Sequence, residues 1–199
     1  MSDTLTVITS ICLGIALAAA TGMRIFLPLL LAGLAIRFEM FSISPETISG
    51  HGWLASVPAL LCFGVATVIE ALAYKMPYID HLLDVIGAPA ALIAGSVLAT
   101  SFIVGIDDPL LKYGLGIVSG AGSAGVVHGA TAIARVVSTK TTGGLGNPLF
   151  AVGELIGAFI TSVLAFLAPL FGIFLVLTAI FVILYAFRKL IGLNQPSDI

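Results

Sequence analysis

Charged side chains are scarce in this 199-residue chain, in which 9% of the residues are charged and 59% are hydrophobic. A water-soluble domain carries roughly a quarter charged residues and about half apolar ones. The mean hydropathy of +1.19 therefore excludes a soluble globule, which would lack the polar surface to cover itself. The chain has room for about six membrane spans of about 20 residues each. We expect one domain, residues 1–199, that forms an all-α polytopic transmembrane helix bundle.

A basic excess, a cysteine framework and catalytic motifs are also missing. The net charge of −2 leaves no basic stripe to neutralise phosphates, so nucleic-acid binding is not expected. Cys12 and Cys62 lie in apolar stretches without a C-x-x-C pair, which argues against a redox or zinc motif. Nucleophile-elbow, H-E-x-x-H and Rossmann fingerprints are absent. We therefore expect neither an enzyme nor a cofactor, and no cleavable signal peptide.

The apolar runs predict six spans: Thr4 to Ile36, Leu54 to Tyr74, Tyr78 to Val104, Leu110 to Val137, Pro148 to Leu167 and Pro169 to Phe187. The first run is too long for one ordinary span and is broken at Thr21-Gly22-Met23-Arg24. Either a long helix is interrupted there, or Ile25 to Ile36 turns back as a re-entrant piece. Both versions place the break inside the bundle, because non-helical backbone at membrane depth needs cover from protein or a water-filled cavity.

Orientation follows from the basic residues at the two sides. One side holds the two termini with Lys75, Arg135, Lys140, Arg188 and Lys189. Arg37 and Lys112 fall on the other side, and Arg24 joins them if the chain turns back at the break. This bias predicts a multi-pass protein with both termini in the cytoplasm.

A weak internal repeat relates the two halves of the chain. Residues 20–24, Ala-Thr-Gly-Met-Arg, are echoed by residues 130–135, Ala-Thr-Ala-Ile-Ala-Arg, which gives candidate repeats 4–106 and 109–190. Chance is the competing explanation in so apolar a chain. If the repeat is real, each unit holds three spans, and an odd number forces opposite orientations. Inverted repeats of this kind are common in transporters, which bind their solute between the two units.

Ionisable residues within apolar segments are expensive and are functional candidates by default. Five qualify: Arg24, Glu70, His128, Arg135 and Glu154. In one interpretation the arginines and glutamates form structural ion pairs between helices. In the other, both arginines face a cavity and bind an anionic group, helped by the N-terminal dipoles of broken helices.

Further candidates each have two interpretations. His128 lies on the glycine-rich fourth span, where it either relays protons or fills a packing position. Asp80 and Asp84 share a helical face and are weak cation ligands, but solvated acids at a helix start are the simpler explanation, so no metal site is predicted. The predicted substrate-binding set is Thr21, Arg24, Glu70, His128, Thr131, Arg135, Asn147 and Glu154.

Several of these stretches resemble a known family. They include Thr21-Gly22-Met23-Arg24 before Phe26-Leu27-Pro28-Leu29-Leu30, and Thr141-Thr142-Gly143-Gly144-Leu145-Gly146-Asn147-Pro148 before Glu154. In these the chain is similar to an uncharacterised bacterial integral-membrane family, the domain of unknown function numbered four-one-two-six. The resemblance covers nearly the whole chain and implies a protein of the bacterial inner membrane with about six spans. It implies no activity.

The leading functional hypothesis is a small transporter or channel for a small solute, with an anion as one candidate. A non-transport alternative is an accessory or scaffold protein that binds lipid, quinone or a larger complex. A third is a membrane-embedded enzyme that acts on lipid through His128 and the acids. The expected partners are membrane lipid and an unidentified ion or small molecule, and a homo-oligomer is a further candidate.

Overall fold

The computed structural model describes residues 2–42, 50–73 and 77–171, and positions 173, 174, 177, 178, 181 and 185 beyond them. These residues form a helical bundle without strands, as predicted. The helices are α1 (Ser2–Met23), α2 (Phe26–Arg37), α3 (Val57–Ala73), α4 (Pro77–Phe102), α5 (Pro109–Thr142) and α6 (Asn147–Leu167). Short 3-10 turns cover Met40–Ser42 and Gly52–Ala55. The side chains of residues 77–85 lie outside the description.

The chain reverses between α1 and α2, so the re-entrant version of the first segment is the one observed. Ala35 and Ile36 at the end of α2 share a buried cluster with Phe102 and Phe166, which end α4 and α6. The start of α1 reaches the same region, where the Ser10 hydroxyl bonds the backbone of Val104 at 3.2 Å. The hairpin therefore enters the bundle and leaves it at one end, which we call the Ser2 end. The opposite end, where α5 finishes, is the Lys140 end.

Helix α1 lies at the centre, packed against α4, α5 and α6. It is antiparallel to α4, since Ser10 bonds Val104 and Thr21 bonds Ala91. It is parallel to α5, since Ala18 packs near Leu115 whereas Gly22 lies against Ala124 and His128. Helices α1 and α5 run in the same direction because α2, which lies between them in the sequence, adds a return pass.

The inverted repeat is therefore not confirmed. Units that begin with α1 and α5 start at the same end of the bundle, whereas inverted units would start at opposite ends. Helix α5 also runs through residues 130–135 without the interruption that follows Met23 in the first half. Likewise, the start of α1 lies at the end that holds Arg37. The sequence analysis had grouped the N-terminus with Lys140 because it counted the first segment as a single pass.

Glycines permit the tightest helix contacts. A Cβ on Gly22 would lie 2.4 Å from the Ala124 carbonyl oxygen, and a Cβ on Gly120 would lie 2.4 Å from that of Gly95. Both distances are shorter than real Cβ contacts allow, so side-chain-free backbone is required there. On α5, a Cβ on Gly116, Gly120 or Gly125 would likewise meet a neighbouring helix at less than 3 Å, whereas a Cβ on Gly129 would meet nothing within 4 Å.

The helices have the lengths and the apolar outer surfaces of a membrane protein. Within the part of the chain that the structure describes, three helices, Thr4–Met23, Pro109–Thr142 and Asn147–Leu167, are long and apolar enough to cross a membrane, and three shorter apolar helices accompany them. Large apolar side chains on the outer faces remain exposed, including Leu61, Val65 and Ile69 on α3. Such a continuous apolar exterior is unstable in water and stable in lipid.

Candidate functional site

An arginine–glutamate cluster, Arg24, Arg135 and Glu154, is buried where α1 ends between α5 and α6. Arg135 binds the Glu154 carboxylate side-on, with Nε 2.9 Å from Oε1 and Nη2 2.8 Å from Oε2. Arg24 Nη2 donates to Glu154 Oε2 at 3.2 Å and to the Ala151 carbonyl oxygen at 2.7 Å. The three residues are 1%, 3% and 6% exposed in the same order. Both arginines thus lie inside the bundle, as predicted, and one carboxylate holds both of them.

Glu70 binds backbone N–H groups instead of forming the ion pair that one interpretation of the sequence gave it. Its Oε1 accepts from the Ile25 N–H at 3.0 Å and its Oε2 accepts from the Phe26 N–H at 3.3 Å. These N–H groups begin α2 and have no partner within their own helix. The buried carboxylate of α3 therefore caps the re-entrant helix and interacts favourably with its dipole. Pro28 fits in this first turn because its missing N–H costs nothing there.

Helix lengths set the depth of the cluster. The 12 residues of α2 rise by about 18 Å. Glu154 lies seven positions after Asn147 on α6, which corresponds to a rise of about 10 Å. Together these distances match an apolar layer of about 30 Å. The cluster therefore lies well inside such a layer, where charges persist only when protein or enclosed water surrounds them.

Three other predicted residues are held by backbone groups nearby. His128 Nδ1 lies 3.3 Å from the Gly22 carbonyl oxygen, beside the last turn of α1. The Thr21 hydroxyl lies 2.7 Å from the Ala18 carbonyl oxygen and 3.2 Å from that of Ala91. The Thr131 hydroxyl donates to the His128 carbonyl oxygen at 3.0 Å. The contacts of Thr21 and His128 fasten α1 to α4 and to α5, whereas the Thr131 contact lies within α5.

The remaining predicted residues are not part of the cluster. Asn147 begins α6 and exchanges hydrogen bonds with the Thr139 hydroxyl, two turns from Glu154. The candidate acids Asp80 and Asp84 fall on α4, but their side chains lie outside the described residues. Among the residues that the structure does describe, no group of three or more His, Cys, Asp or Glu side chains is placed to hold a metal ion.

A groove of about 450 Å³ leads to the cluster between α5 and α6. Glu154 and Thr131 supply its polar atoms, and Met23 closes it at the side of α1. Its other lining residues are Ala134, Leu149, Phe150 and Gly153. The groove is open to the exterior, because the Leu149 side chain is 77% exposed and that of Phe150 is 42% exposed. Sequence reasoning missed these apolar residues, since nothing distinguishes them from lipid-facing positions.

A second groove, of about 300 Å³, lies between α2, α3 and α4 and is apolar. Ile25, Phe26 and Leu29 line it from α2, and Trp53 and Phe63 line it from the α3 side. It touches the two residues that Glu70 caps but contains no ionisable lining residue.

Comparisons with known proteins agree with the architecture. The family model described as "Domain of unknown function (DUF4126)" matches residues 11–189, which include α2 to α6 and most of α1. No curated protein and no solved structure matches the chain. Because the match spans most of its length, the chain belongs to the family described as Domain of unknown function (DUF4126).

Proposed function

We propose that this protein is a small membrane transporter whose solute, an anion or a molecule that carries an anionic group, binds at the arginine–glutamate cluster. One observation carries the proposal: two arginines and a glutamate are buried beside the break of a re-entrant hairpin, deep inside an apolar bundle. If these charges had no function, apolar residues of similar volume in their place would make the bundle more stable.

The chemistry of the cluster favours an anionic group. An arginine guanidinium stays protonated at any working pH and offers donors in a planar fork that fits a carboxylate. Arg135 already holds the Glu154 carboxylate in this way, and Arg24 contacts the same carboxylate. A solute anion that replaces Glu154 would meet donors that are already in position.

Helix α6 is the element that this exchange would move. Along the groove α6 is separated from α5, and near its start it is tied to the bundle by Arg24 and Arg135. Replacement of Glu154 by a solute would loosen these ties and open the groove. Such a change gives a carrier two states whose populations depend on solute.

Orientation is a further part of the proposal. Arg135 and Lys140 lie in the second half of α5 toward the Lys140 end, whereas Arg37 and Lys112 lie toward the Ser2 end. We place the Lys140 end in the cytoplasm of a bacterial inner membrane, in line with the bias of basic residues in the whole chain. The start of α1 would then face the other side.

Flux into liposomes that contain the purified protein tests the proposal, with a panel of small inorganic and organic anions. Arg24→Gln should reduce flux of the transported anion by at least about tenfold, because Arg24 contacts the anion position. It should remain folded, since Arg135 still pairs with Glu154. The matched control is Arg37→Gln, which removes an exposed guanidinium bound to the Ala55 carbonyl oxygen. Absence of flux for every anion, or equal flux in the two variants, contradicts the proposal.

The apolar groove between α2, α3 and α4 favours a second candidate, an accessory protein that binds lipid or quinone. In that case the charged cluster is a structural tie. Arg24→Gln, which leaves Arg135 paired with Glu154, would then leave the binding of lipid or quinone unchanged. A transporter of anions would lose flux in the same variant.

A further inference from the structure

We infer that the solute reaches the arginine–glutamate cluster from the Lys140 end, and that the Ser138 hydroxyl binds its anionic group on the way. The inference rests on the proposed function, because it adds a route and a further binding residue to the same cluster. It starts from the inner face of α5, where polar side chains recur at helical spacing: His128, Thr131, Arg135, Ser138 and Thr142. The first four are buried and Thr142 is exposed, so this polar stripe leads from the exterior at the Lys140 end to Arg135.

Ser138 differs from its neighbours because its hydroxyl has no hydrogen-bond partner among the residues that the structure describes. The residue is 4% exposed, so bulk water does not reach the hydroxyl. The hydroxyls of Thr139 and Thr142 on the same helix each bond a carbonyl oxygen one turn earlier, at 3.0 and 2.8 Å. A buried hydroxyl without a partner is costly, and the binding of a polar solute is a reason to keep one.

The Ser138 hydroxyl faces the start of α6. A Cβ on Gly146 would lie 2.5 Å from Ser138 Oγ, which is closer than real Cβ contacts allow. Gly146 has φ −79° and ψ −19°, which any residue adopts, so the glycine provides space and not an unusual backbone conformation. The backbone before α6 therefore covers the hydroxyl. Movement of α6 away from α5, which the exchange at Glu154 would cause, uncovers it.

The charges along this route are basic. Residues 131–153, all of which the structure describes, contain two ionisable side chains, Arg135 and Lys140. The next acid, Glu154, lies eight positions after Gly146, which corresponds to a rise of about 12 Å along α6. An anionic group beside Ser138 thus meets a hydroxyl donor with a basic residue on each side of it along α5. The groove between α5 and α6 is a poorer route for an anion, because Glu154 is its ionisable lining residue.

Cysteine accessibility tests the route before any solute is known. Ser138→Cys, in the full chain without Cys12 and Cys62, is treated in sealed vesicles with two impermeant methanethiosulfonates, one with a sulfonate group and one with a trimethylammonium group. Both rates are divided by those of Leu145→Cys, which is exposed at the same end. The sulfonate reagent should then be at least about fivefold faster at position 138, and from the face that labels Leu145→Cys.

Ser162→Cys is the matched control for accessibility. Ser162 is a fully buried serine on α6 that lies off the polar stripe, and its hydroxyl donates to the Ala158 carbonyl oxygen at 2.7 Å. It should react at least about tenfold more slowly than Ser138→Cys, because no polar route leads to it. Equal rates at positions 138 and 162, or a relative preference for the trimethylammonium reagent at position 138, overturn the inference.

Flux into liposomes tests the binding role of the hydroxyl, with chloride, sulfate, acetate and succinate as the probes. Ser138→Ala should raise the KM of a transported anion by at least about fivefold, because a hydrogen-bond donor to the anion is lost. Ser162→Ala removes a hydroxyl that is bound to backbone and should leave the KM unchanged. An unchanged KM in Ser138→Ala overturns the binding role of Ser138.

The two assays separate this inference from the proposed function. Sulfonate-selective modification of Ser138→Cys without flux of any of the four anions supports the anion-selective entrance and contradicts transport. Flux that Arg24→Gln abolishes and Ser138→Ala leaves unchanged supports transport at the cluster and overturns the inference about Ser138.

Discussion

At the scale of single residues, the central feature is that Glu154 serves two arginines from different helices. Arg24 directly follows α1 and Arg135 lies on α5, so the carboxylate of α6 links these elements through one pair of oxygens. Removal of one member of a buried ion pair costs about 3–5 kcal/mol, because the remaining charge stays desolvated. Replacement of both members is much less costly.

A double-mutant cycle at Arg135 and Glu154 measures this coupling. Each single change, Arg135→Gln and Glu154→Gln, should lower the free energy of unfolding by about 3 kcal/mol. The double variant should lose less than the sum of the two, because it strands no charge between this pair. Unfolding in mixed micelles gives the three values. Additive losses would show that Arg135 and Glu154 do not depend on each other.

The cap on α2 gives a second prediction at this scale. Glu70→Ala leaves the Ile25 and Phe26 N–H groups buried without their acceptor and should destabilise the protein by about 2 kcal/mol. Glu70→Gln keeps one acceptor oxygen and should lose less. Asp108→Ala is a matched control, since Asp108 caps α5 through Leu111 at an exposed position and should cost about 1 kcal/mol. Losses of equal size at positions 70 and 108 would contradict a buried anchoring role for Glu70.

At the scale of helices, α1 depends on close contact along its length. Gly14 packs on the Ala99 backbone, and Gly22 packs on Ala124, Val127 and His128. The second contact fixes where α1 ends and therefore where Arg24 points. A small substitution at Gly22 should therefore shift α1 and, with it, the position of Arg24 in the cluster.

Gly22→Ala tests this packing. The new Cβ would overlap the Ala124 carbonyl oxygen at 2.4 Å, so α1 and α5 must separate, at a cost of about 2 kcal/mol. Gly129→Ala adds the same methyl group on α5 where a Cβ meets nothing within 4 Å, and it should be neutral or slightly stabilising. Thermal unfolding of the two variants provides the comparison. A neutral Gly22→Ala would mean that the helices are not in close contact.

The turn before α3 gives a prediction about pH. Burial, and secondarily the positive charge of Lys112, lowers the pKa of His51 below its ordinary value. The folded protein then binds fewer protons here than the unfolded chain, so stability falls as the pH drops below about 6.5. His51→Gln should lose less stability than the parent between pH 7 and pH 5, as measured by thermal unfolding in detergent. An identical decline in both proteins would exclude His51 as a source of the pH dependence.

At the scale of the whole molecule, composition and run length were enough to predict a helical membrane bundle, and the helices lie close to the apolar runs. The burial of Arg24, Glu70, Arg135 and Glu154 was predictable too, because charges at such depth need protein around them. Their pairing was not, since it depends on the direction of α2. Hydropathy is the same whether a chain crosses or turns back, so the reversal after Met23, the parallel course of α1 and α5 and the groove at Gly153 needed the structure.

The reversal leads to a topology that accessible cysteines can test. In a background without Cys12 and Cys62, single cysteines replace Thr4, Phe38 and Leu145, all of which are exposed. Thr4 and Phe38 lie at the Ser2 end, and Leu145 follows α5 at the Lys140 end. In sealed vesicles a membrane-impermeant maleimide should therefore label Thr4→Cys and Phe38→Cys from one face and Leu145→Cys from the other.

A first segment that crosses completely would instead place Thr4 with Leu145, opposite Phe38, because it lacks the return pass of α2. That pattern would contradict the re-entrant hairpin, and with it the burial of Arg24 at the tip of the hairpin on which the transport proposal depends.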